Sequence, residues 1–417
     1  AVGSYALDAN TTGEKNTAVG QNALTSNTTG NRNTAVGRIA LYTNTTGHYN
    51  TALGQGSLYF NDADGNTSVG YESMNANTTG SSNVAVGMYA LDANTTGGNN
   101  TAIGYEALTA NTTANNNTSV GRLSLTTNTT GTGNTAVGVN TLRLNTTGES
   151  NVAFGTFALD KNTTASNNSA FGYEALGANT TGTKNTALGK SSLEVNTTGN
   201  QNTAIGQATL VANTTGYDNT AVGNDSLNDN TTGYYNTSVG SFSLDANTTG
   251  YDNTAMGVAA LGKNTTASNN TAVGRATLAE NTTGASNVAL GAYALDANTT
   301  GSNSTAIGYL AGSANTTGAI VAIGYLAVDA NTTGAENTGV GSNALSANTT
   351  ANNNTAFGSY ALAGNTTGSE NTAVGKNSLI ANTTGTLNTS VGCYALDANT
   401  TANNNSAFGY NALTANT

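Results

Sequence analysis

A unit of 17 residues recurs along this chain of 417 residues and constrains its fold more than any other feature. The unit is represented by residues 16–32, and the glycine after its Ala-Val pair recurs from Gly3 to Gly409. One-residue deletions interrupt the period within residues 61–66 and 318–321. A fixed period of this length is typical of a solenoid, in which each coil buries its surface against its neighbours. We therefore predict an all-β fold, a parallel β-solenoid or β-roll of about 25 coils with a 17-residue repeat.

The charged residues show which positions of the unit face solvent. With Asn16 as position 1, every charge falls at positions 6, 7, 10, 11, 16 or 17, except Asp62 and Asp64 in the first deletion. Because an unpaired buried charge is costly, we predict that these six positions are exposed and that the others are interior, stacked or turn-forming. Position 4 is always a large apolar residue and position 9 is almost always Leu. We therefore expect two large buried apolar side chains in each coil.

The remaining positions predict the backbone. Thr-Ala-Val at positions 2 to 4 favours a short strand, and Gly at position 5 permits a bend or a close approach of backbones. Asn-Thr-Thr-Gly at positions 12 to 15 is a turn sequence in which we expect the Gly to adopt a positive φ. Five coils have Ala in place of this Gly and Asn two residues later, so we expect the strained conformation to move to that Asn. These alanines are Ala114, Ala165, Ala267, Ala351 and Ala402.

Three coils lack the Leu of position 9, where they carry Met74, Gly312 and Val328. The two coils with the smaller residues, Gly312 and Val328, each have a leucine two residues earlier, Leu310 and Leu326. We expect these leucines to repack and replace the lost core volume.

The composition excludes several classes of function. Charged residues make up 8% of the chain and the net charge is −11, so the basic surface required for nucleic-acid binding is missing. A single cysteine, Cys393, excludes a disulfide framework, and a single histidine, His48, leaves little for metal or acid–base chemistry. The sequence contains no run of 18 apolar residues, which is about the length needed to span a membrane. We predict no enzymatic activity, no cofactor, no nucleic-acid partner and no membrane span in this segment.

The segment Asn16-Thr17-Ala18-Val19-Gly20, followed two residues later by Ala23-Leu24, resembles the head repeat of YadA-like trimeric autotransporter adhesins. Arrays of this unit with Asn-Thr-Thr-Gly also resemble repeat shafts of phage tail fibres and bacterial surface proteins. The resemblance extends from Val2 to Gly409, although a unit of 17 residues is longer than the adhesin repeat. It implies a left-handed parallel β-roll with three chains side by side, located outside the cell, on its surface or on a virion.

These observations predict a passive structural element. We expect residues 1–417 to form one continuous repeat array, uncapped at both ends, that serves as the rod or shaft of an extracellular fibre, filament or surface adhesin with multivalent contacts. Alternatives are the receptor-binding shaft of a virion tail fibre and an ice-binding solenoid. The expected partners are copies of the chain, as a lateral homotrimer or a head-to-tail filament, together with glycans or a host or cell surface.

Tyrosines at positions 6 and 7 are candidates for surface contacts, because both positions flank one bend and place the rings along one edge. They are Tyr5, Tyr71, Tyr89, Tyr105, Tyr173, Tyr293, Tyr309, Tyr325, Tyr360, Tyr394 and Tyr410.

Two further patterns indicate modification or metal binding. Each Asn-Thr-Thr matches the N-glycosylation acceptor, so Asn10, Asn27 and Asn44 are candidate sites, with a stacked turn as the alternative. Asp62, Asp64 and Asn66 are spaced like the first ligands of a calcium loop. Ser73 stands where that loop has Glu, which favours a solvated turn instead.

Overall fold

The structure, a computed structural model, describes residues 1–416. The chain is divided into two compact units, Ala1–Gln207 and Ala208–Thr417. Each unit is a parallel β-solenoid with one short strand per 17-residue coil, and none of residues 1–416 is helical. The predicted fold class and repeat are thereby confirmed.

In the first unit, each strand spans positions 2 to 4 of its coil, as the Thr-Ala-Val pattern predicts. The strands are β1 (Thr17–Val19), β2 (Thr34–Val36), β3 (Thr51–Leu53), β4 (Thr67–Val69), β5 (Val84–Val86), β6 (Thr101–Ile103), β7 (Thr118–Val120), β8 (Thr135–Val137), β9 (Val152–Phe154), β10 (Ser169–Phe171), β11 (Thr186–Leu188) and β12 (Thr203–Ile205).

The second unit repeats this arrangement, with one additional residue in two of its strands. The strands are β13 (Thr220–Val222), β14 (Thr237–Val239), β15 (Thr254–Met256), β16 (Thr271–Val273), β17 (Val288–Leu290), β18 (Thr305–Ile307), β19 (Ile320–Ile323), β20 (Asn337–Val340), β21 (Thr355–Phe357), β22 (Thr372–Val374), β23 (Thr389–Val391) and β24 (Ser406–Phe408).

Within each unit, consecutive strands pair in parallel and in register, so equal positions of successive coils lie beside each other. Thr17 is paired with Thr34, for example, and Ala18 with Ala35. Side chains alternate across a strand, and in β1 only the central Ala18 points inward. Every position of the repeat therefore forms a row of side chains along the unit.

The interior is narrower than the sequence suggested. Ala18 at position 3, Ala23 at position 8 and Leu24 at position 9 are fully buried, whereas Val19 at position 4 remains 39% exposed. The prediction that position 4 lies in the core is wrong, and each regular coil buries one large apolar side chain rather than two. The reason is strand alternation: with Ala inside at position 3, position 4 must point outward.

Glycine at position 5 is required by the close approach of successive coils. Gly20 has a φ of 131°, and a Cβ added there would lie 2.6 Å from the carbonyl oxygen of Gly37 in the next coil. A real Cβ cannot approach a backbone oxygen so closely. Both the backbone conformation and the available space therefore exclude a side chain, as predicted for this position.

Glycine at position 15 has a different role from the predicted one. Gly30 does not adopt a positive φ, and the left-handed residues are instead at positions 7, 9 and 17, represented by Asn22, Leu24 and Arg32 with φ of 58°, 53° and 58°. Asn116, in a coil that has Ala at position 15, has a φ of 60°. The left-handed residue therefore does not move when Ala replaces Gly, and that prediction is also wrong.

Position 15 lies in a crowded turn that leaves little space for a side chain. A Cβ added to Gly30 would collide with the carbonyl oxygen of Gly47 in the next coil and with Oδ1 of Asn27 in its own coil. Alanine is nevertheless accommodated in five coils, where Ala114 is 1% exposed. Position 15 therefore restricts side-chain volume without requiring glycine.

The coils with Gly312 and Val328 at position 9 are filled by other residues than predicted. Leu310 and Leu326 stay half-buried. Beside Gly312, the space is taken by Ile320, which is 2% exposed and places its Cδ1 2.7 Å from where a Cβ of Gly312 would lie. In the following coil, Val328 is fully buried. The lost volume is therefore replaced from position 1 of the next coil, where most coils have Asn.

We expect Gly223→Ala to lower the free energy of unfolding by about 2–4 kcal/mol, because alanine would be strained at a φ of 138°. Its Cβ would also lie 2.5 Å from the carbonyl oxygen of Gly240. Gly233→Ala, at position 15 of the same coil, is the matched control and should cost less than half as much. Thermal unfolding followed by circular dichroism measures both variants, and equal losses would contradict the distinct roles of the two glycines.

Candidate interaction surfaces

Buried asparagines fix the position of each coil relative to the next. At position 12, Nδ2 of Asn44 donates to Oδ1 of Asn27 at 3.0 Å and to the carbonyl oxygen of Gly47 at 3.1 Å. At position 1, the backbone N–H of Asn50 donates to Oδ1 of Asn33 at 2.9 Å. These rows hold the coils in register, and consequently the outward side chains are also aligned in rows.

The candidate glycosylation sites are part of this asparagine row. Asn27 and Asn44 are fully buried, and Asn10 is half-buried. Nδ2 of Asn27 donates to Oδ1 of Asn10 at 2.8 Å and to the carbonyl oxygen of Gly30 at 3.0 Å. A glycan would be attached to this nitrogen, which is inside the folded coil and uses both of its hydrogens.

The outward side of the sheet is an apolar face without charges, defined here as positions 2 and 4 and called the sheet face. Position 4 carries Val, Leu, Ile, Phe or Met in every coil, and position 2 is mostly Thr. In the first unit, Leu53 is 47% exposed and Phe154 stacks on Phe171 with 5.2 Å between ring centroids. The most exposed members of position 4 are Val2, Val19, Leu53, Ile103, Phe154, Phe171, Leu188 and Ile205 in the first unit, and Met256, Leu290, Ile307, Phe357 and Phe408 in the second.

The sheet face was not predicted from the sequence, because the absence of charge does not distinguish an exposed apolar position from a buried one. The alternation of Thr, Ala and Val within the strand was the signal that could have revealed it. Only one side of a three-residue strand can face the interior, and the side with the small residue is the one that fits a narrow coil.

The predicted tyrosines at positions 6 and 7 lie on the surface, and several of them meet in pairs. Tyr71 and Tyr89 are in edge-to-face contact, with ring centroids 5.6 Å apart. A hydrogen bond with the carboxylate of Glu72 raises the pKa of Tyr71, because it favours the protonated phenol. The other pairs are Tyr293 with Tyr309, Tyr309 with Tyr325, and Tyr394 with Tyr410.

The remaining predicted tyrosines have different surroundings. Tyr173 contacts the ring of Phe157 edge to face, and a hydrogen bond with Glu106 raises the pKa of Tyr105. Tyr5 and Tyr360 are exposed at 64% and 45%. Their role in contacts with a partner remains a prediction.

A second set of tyrosines, not singled out from the sequence, forms parallel stacks. Tyr217, Tyr234 and Tyr251 occupy position 16 of three consecutive coils, with 5.0 Å between neighbouring ring centroids and interplanar angles of 3° and 2°. Tyr42 and Tyr59 at position 10 are stacked at 5.0 Å and 8°. The recurrence of Tyr at one position of adjacent coils is the sequence signal for such a stack.

In a regular coil, the carbonyl oxygen at position 13 accepts hydrogen bonds from the turn of the preceding coil. The carbonyl oxygen of Thr45 accepts from the backbone N–H groups of Thr28, Thr29 and Gly30 at 2.9, 3.2 and 3.4 Å. The hydroxyl of Thr28 donates to the same oxygen at 3.1 Å. This acceptor is repeated from coil to coil.

At the first deletion, the side chain of Asp62 replaces that carbonyl oxygen. Its Oδ1 accepts from the backbone N–H groups of Thr45, Thr46 and Gly47 at 2.8, 2.7 and 3.2 Å. Its Oδ2 accepts from the hydroxyl of Thr45 at 2.6 Å. The carboxylate therefore accepts the hydrogen bonds of the turn in the preceding coil, although its own coil is one residue short.

The other two candidate calcium ligands are also hydrogen-bond acceptors for the chain itself. Oδ1 of Asp64 accepts from the backbone N–H of His48 at 2.7 Å, and Oδ1 of the buried Asn66 accepts from that of Asn83 at 2.9 Å. Within residues 1–416, no group of three or more His, Cys, Asp and Glu side chains could hold a metal ion. The structure therefore gives Asp62, Asp64 and Asn66 a role in joining coils.

Neither the comparison with protein-family models nor the comparison with curated proteins found a match. The resemblance to adhesin head repeats therefore depends on the sequence of the unit. In the part of the chain that the structure describes, no helix is long and apolar enough to cross a membrane.

We expect Asp62 to make the stability of the first unit depend on acidic pH. Burial raises the pKa of Asp62, but the hydrogen bonds from Thr45, Thr46 and Gly47 outweigh burial and leave the pKa below its ordinary value of 3.8. Because the folded pKa is the lower one, the carboxylate stabilises the fold above pH 3.8, and this contribution is lost as the pH falls through the folded pKa.

Asp62→Asn should therefore lower the free energy of unfolding at neutral pH by about 1 kcal/mol, and the difference from the wild type should vanish in acid. Asp64→Asn is the control, because it alters the acceptor of a single backbone N–H. Thermal unfolding between pH 7 and pH 2 measures both variants. A constant difference between wild type and Asp62→Asn across this range would refute the assigned role.

We expect the folded chain to resist N-glycosylation at Asn27 and Asn44, because Nδ2 of both residues is buried and hydrogen-bonded. Purified folded protein treated with an oligosaccharyltransferase should keep its polypeptide mass. A short synthetic peptide containing Asn27-Thr28-Thr29 should be modified under the same conditions, which shows that the acceptor sequence is competent. A glycan on Asn27 in the folded protein would contradict this expectation.

Proposed function

We propose that this protein is the shaft of an extracellular fibre, filament or surface adhesin, and that its units assemble side by side with other copies through the sheet face. The observation that carries the proposal is a row of exposed large apolar side chains that is uncharged in every coil. The proposed location is outside the cell, on the cell surface or on a virion.

The coil-to-coil bonding supports a mechanical role. Each coil is joined to the next by parallel strand pairing, by two buried asparagine rows and by the turn acceptor at position 13. The bonds across one contact between coils share a load along the unit, and the same set of bonds is repeated at each contact. No recurring group of nucleophile, base and acid accompanies them in the sequence, and we propose no enzymatic activity and no cofactor.

The size of the sheet face suits a protein interface. With strands about 4.8 Å apart and about 3.3 Å per residue, the twelve strands of the first unit present a face of roughly 600 Å². A specific interface buries about 800 Å² on each partner, and exposed apolar patches on monomers rarely exceed about 600 Å². The face of one unit alone is therefore close to the area of a stable interface.

Charge favours a second copy of the chain as the occupant. The net charge of −11 is confined to positions outside the sheet face, so two copies repel one another through their other surfaces. The sheet face brings copies together without placing like charges against each other. Its rows also have the same spacing in each copy, which allows side chains such as Leu53 and Leu188 to interdigitate with their equivalents. We propose lateral homo-oligomers, with the homotrimer implied by the adhesin resemblance as the preferred form.

One observation favours ice binding as a second candidate. Thr at position 2 points outward from the strand, as at Thr17 and Thr34, and forms a regular row along the sheet. Position 4 opposes this reading, because its side chains vary in size from Val19 to Phe154 and interrupt a flat surface. Side chains of unequal size suit a protein partner better than a crystal lattice. In both candidate functions, the exposed tyrosines of positions 6 and 7 can still contact glycans, a receptor or a cell surface.

Leu53→Lys should weaken lateral association at least tenfold, because it places a charge in the proposed interface at a cost of more than about 1.4 kcal/mol. Gln55→Lys, two residues away, is the matched control, because this exposed position carries Arg38 and Lys190 in other coils. Sedimentation velocity measures the association of both variants, and circular dichroism verifies that they fold.

A wild-type chain that remains monomeric at high concentration would contradict lateral assembly, as would equal association of the two lysine variants. Thermal hysteresis of the wild-type monomer would favour the ice-binding candidate instead.

A further inference from the structure

We propose that the parallel tyrosine stacks are sites of oxidative cross-linking, in which tyrosines of successive coils are joined as dityrosine. Tyr234 is the central residue of the larger stack. This inference rests on ring geometry and does not depend on the proposed function.

The stack in the second unit is arranged for coupling between neighbours. Tyr234 lies between Tyr217 and Tyr251, 5.0 Å from each, and the three rings are parallel within 3°. The rings are stacked face to face, the orientation in which the carbon atoms next to the hydroxyl of one phenoxyl radical can bond to those of the next after a small shift. Tyr217 and Tyr251 are 37% and 38% exposed, so a small oxidant can reach the ring edges.

The first unit contains an independent stack of the same geometry. Tyr42 and Tyr59 are parallel within 8° at 5.0 Å, and both are half-buried. The edge-to-face pair Tyr71 and Tyr89 has a similar separation of 5.6 Å but an angle of 87°. In that pair, one ring must rotate before two such carbons can meet, so it is a built-in comparison for the effect of ring orientation.

The chemistry requires a peroxide and a catalyst of one-electron oxidation, such as a haem peroxidase. Each of two phenols loses one electron and its hydroxyl proton to give a phenoxyl radical. A carbon–carbon bond forms between the two ring carbons adjacent to the oxygens, and the hydrogens on those carbons transfer to the oxygens and restore both phenols. Two hydrogen atoms are lost for each cross-link, and one hydrogen peroxide accepts them and becomes two waters.

The composition directs oxidation to tyrosine. The chain has no Trp, one Cys and three Met, against 18 Tyr. Radicals formed elsewhere on the tyrosine surface therefore meet few competing side chains. A bond between Tyr234 and either neighbour would join residues 17 positions apart and tie two successive coils covalently at their edge.

The test treats the intact protein with a haem peroxidase and hydrogen peroxide at several protein concentrations. Dityrosine fluorescence and peptide mass spectrometry detect the products. We expect a peptide containing Tyr234 joined to one containing Tyr217 or Tyr251, lighter by two hydrogens than the sum of the two. Its yield per chain should not change with dilution, because the reacting rings belong to one chain.

Tyr234→Phe should reduce cross-linking among Tyr217, Tyr234 and Tyr251 at least tenfold, since no two phenols are then adjacent in the row. Tyr235 also contacts Tyr217 edge to face, with 5.4 Å between ring centroids, so fragment-ion spectra must assign each cross-link to residue 234 or 235. Cross-linking of Tyr42 to Tyr59 should persist in this variant and verifies that the reaction proceeds. Tyr360→Phe removes a tyrosine that is 45% exposed and has no aromatic contact among the described residues, and should leave both products unchanged.

Three outcomes would overturn the proposal. The first is a yield that falls with dilution, which assigns the product to contacts between chains. The second is an equal or higher yield for the edge-to-face pair Tyr71 and Tyr89. The third is oxidation of Tyr217, Tyr234 and Tyr251 without a cross-link among them.

Discussion

A buried asparagine amide that bonds to its equivalent in the next coil is the interaction on which the rest of this structure depends. Each Nδ2 of position 12, as in Asn44, reaches both the preceding Asn27 and the turn of its own coil at Gly47. Leaving such a buried group unpaired costs about 1–3 kcal/mol, so a change of register would be penalised in every coil at once. The period of 17 residues is therefore maintained by polar groups inside the coil, while one leucine per coil supplies most of the apolar burial.

The same close stacking determines what the surface must be. Glycine at position 5 lets backbones approach until no Cβ fits, as at Gly20, and the resulting interior holds only Ala18, Ala23 and Leu24 beside the asparagines. A large residue at position 4 cannot enter this space and remains outside. The apolar sheet face is thus a consequence of a narrow cross-section, and the absence of charge along it is the separate feature that favours a partner.

The sequence alone predicted the repeat, the strands at positions 2 to 4 and the close approach at position 5, because each follows from a residue type that recurs in register. The prediction that all six charge-bearing positions are exposed is only partly right, since position 10 is half-buried at Asp92 and buried at Asp160. The sequence could not separate the interior from the sheet face, since both exclude charge. It also misplaced the left-handed residues. Leu24 and Arg32 adopt positive φ although neither favours it, because the hydrogen bonds between coils impose this backbone at a cost of about 1–2 kcal/mol per residue. The tyrosine stacks had a sequence signal, Tyr at one position of adjacent coils, but the parallel orientation of the rings could be seen only in the structure.

The two deletions reveal which parts of the coil can be lost and which must be replaced. At the first, Asp62 supplies a side-chain oxygen where a backbone oxygen is missing. The hydrogen-bond acceptor is therefore preserved although the coil has lost a residue. At the second, Ile320 fills the space beside Gly312 but has no side-chain amide for the row at position 1. There the hydroxyl of Ser304 accepts from the backbone N–H of Ile320 and donates to the carbonyl oxygen of Gly318. Chain length is therefore expendable in this fold, whereas core volume and hydrogen-bond partners are not, because only their loss would leave a cavity or an unpaired polar group between coils.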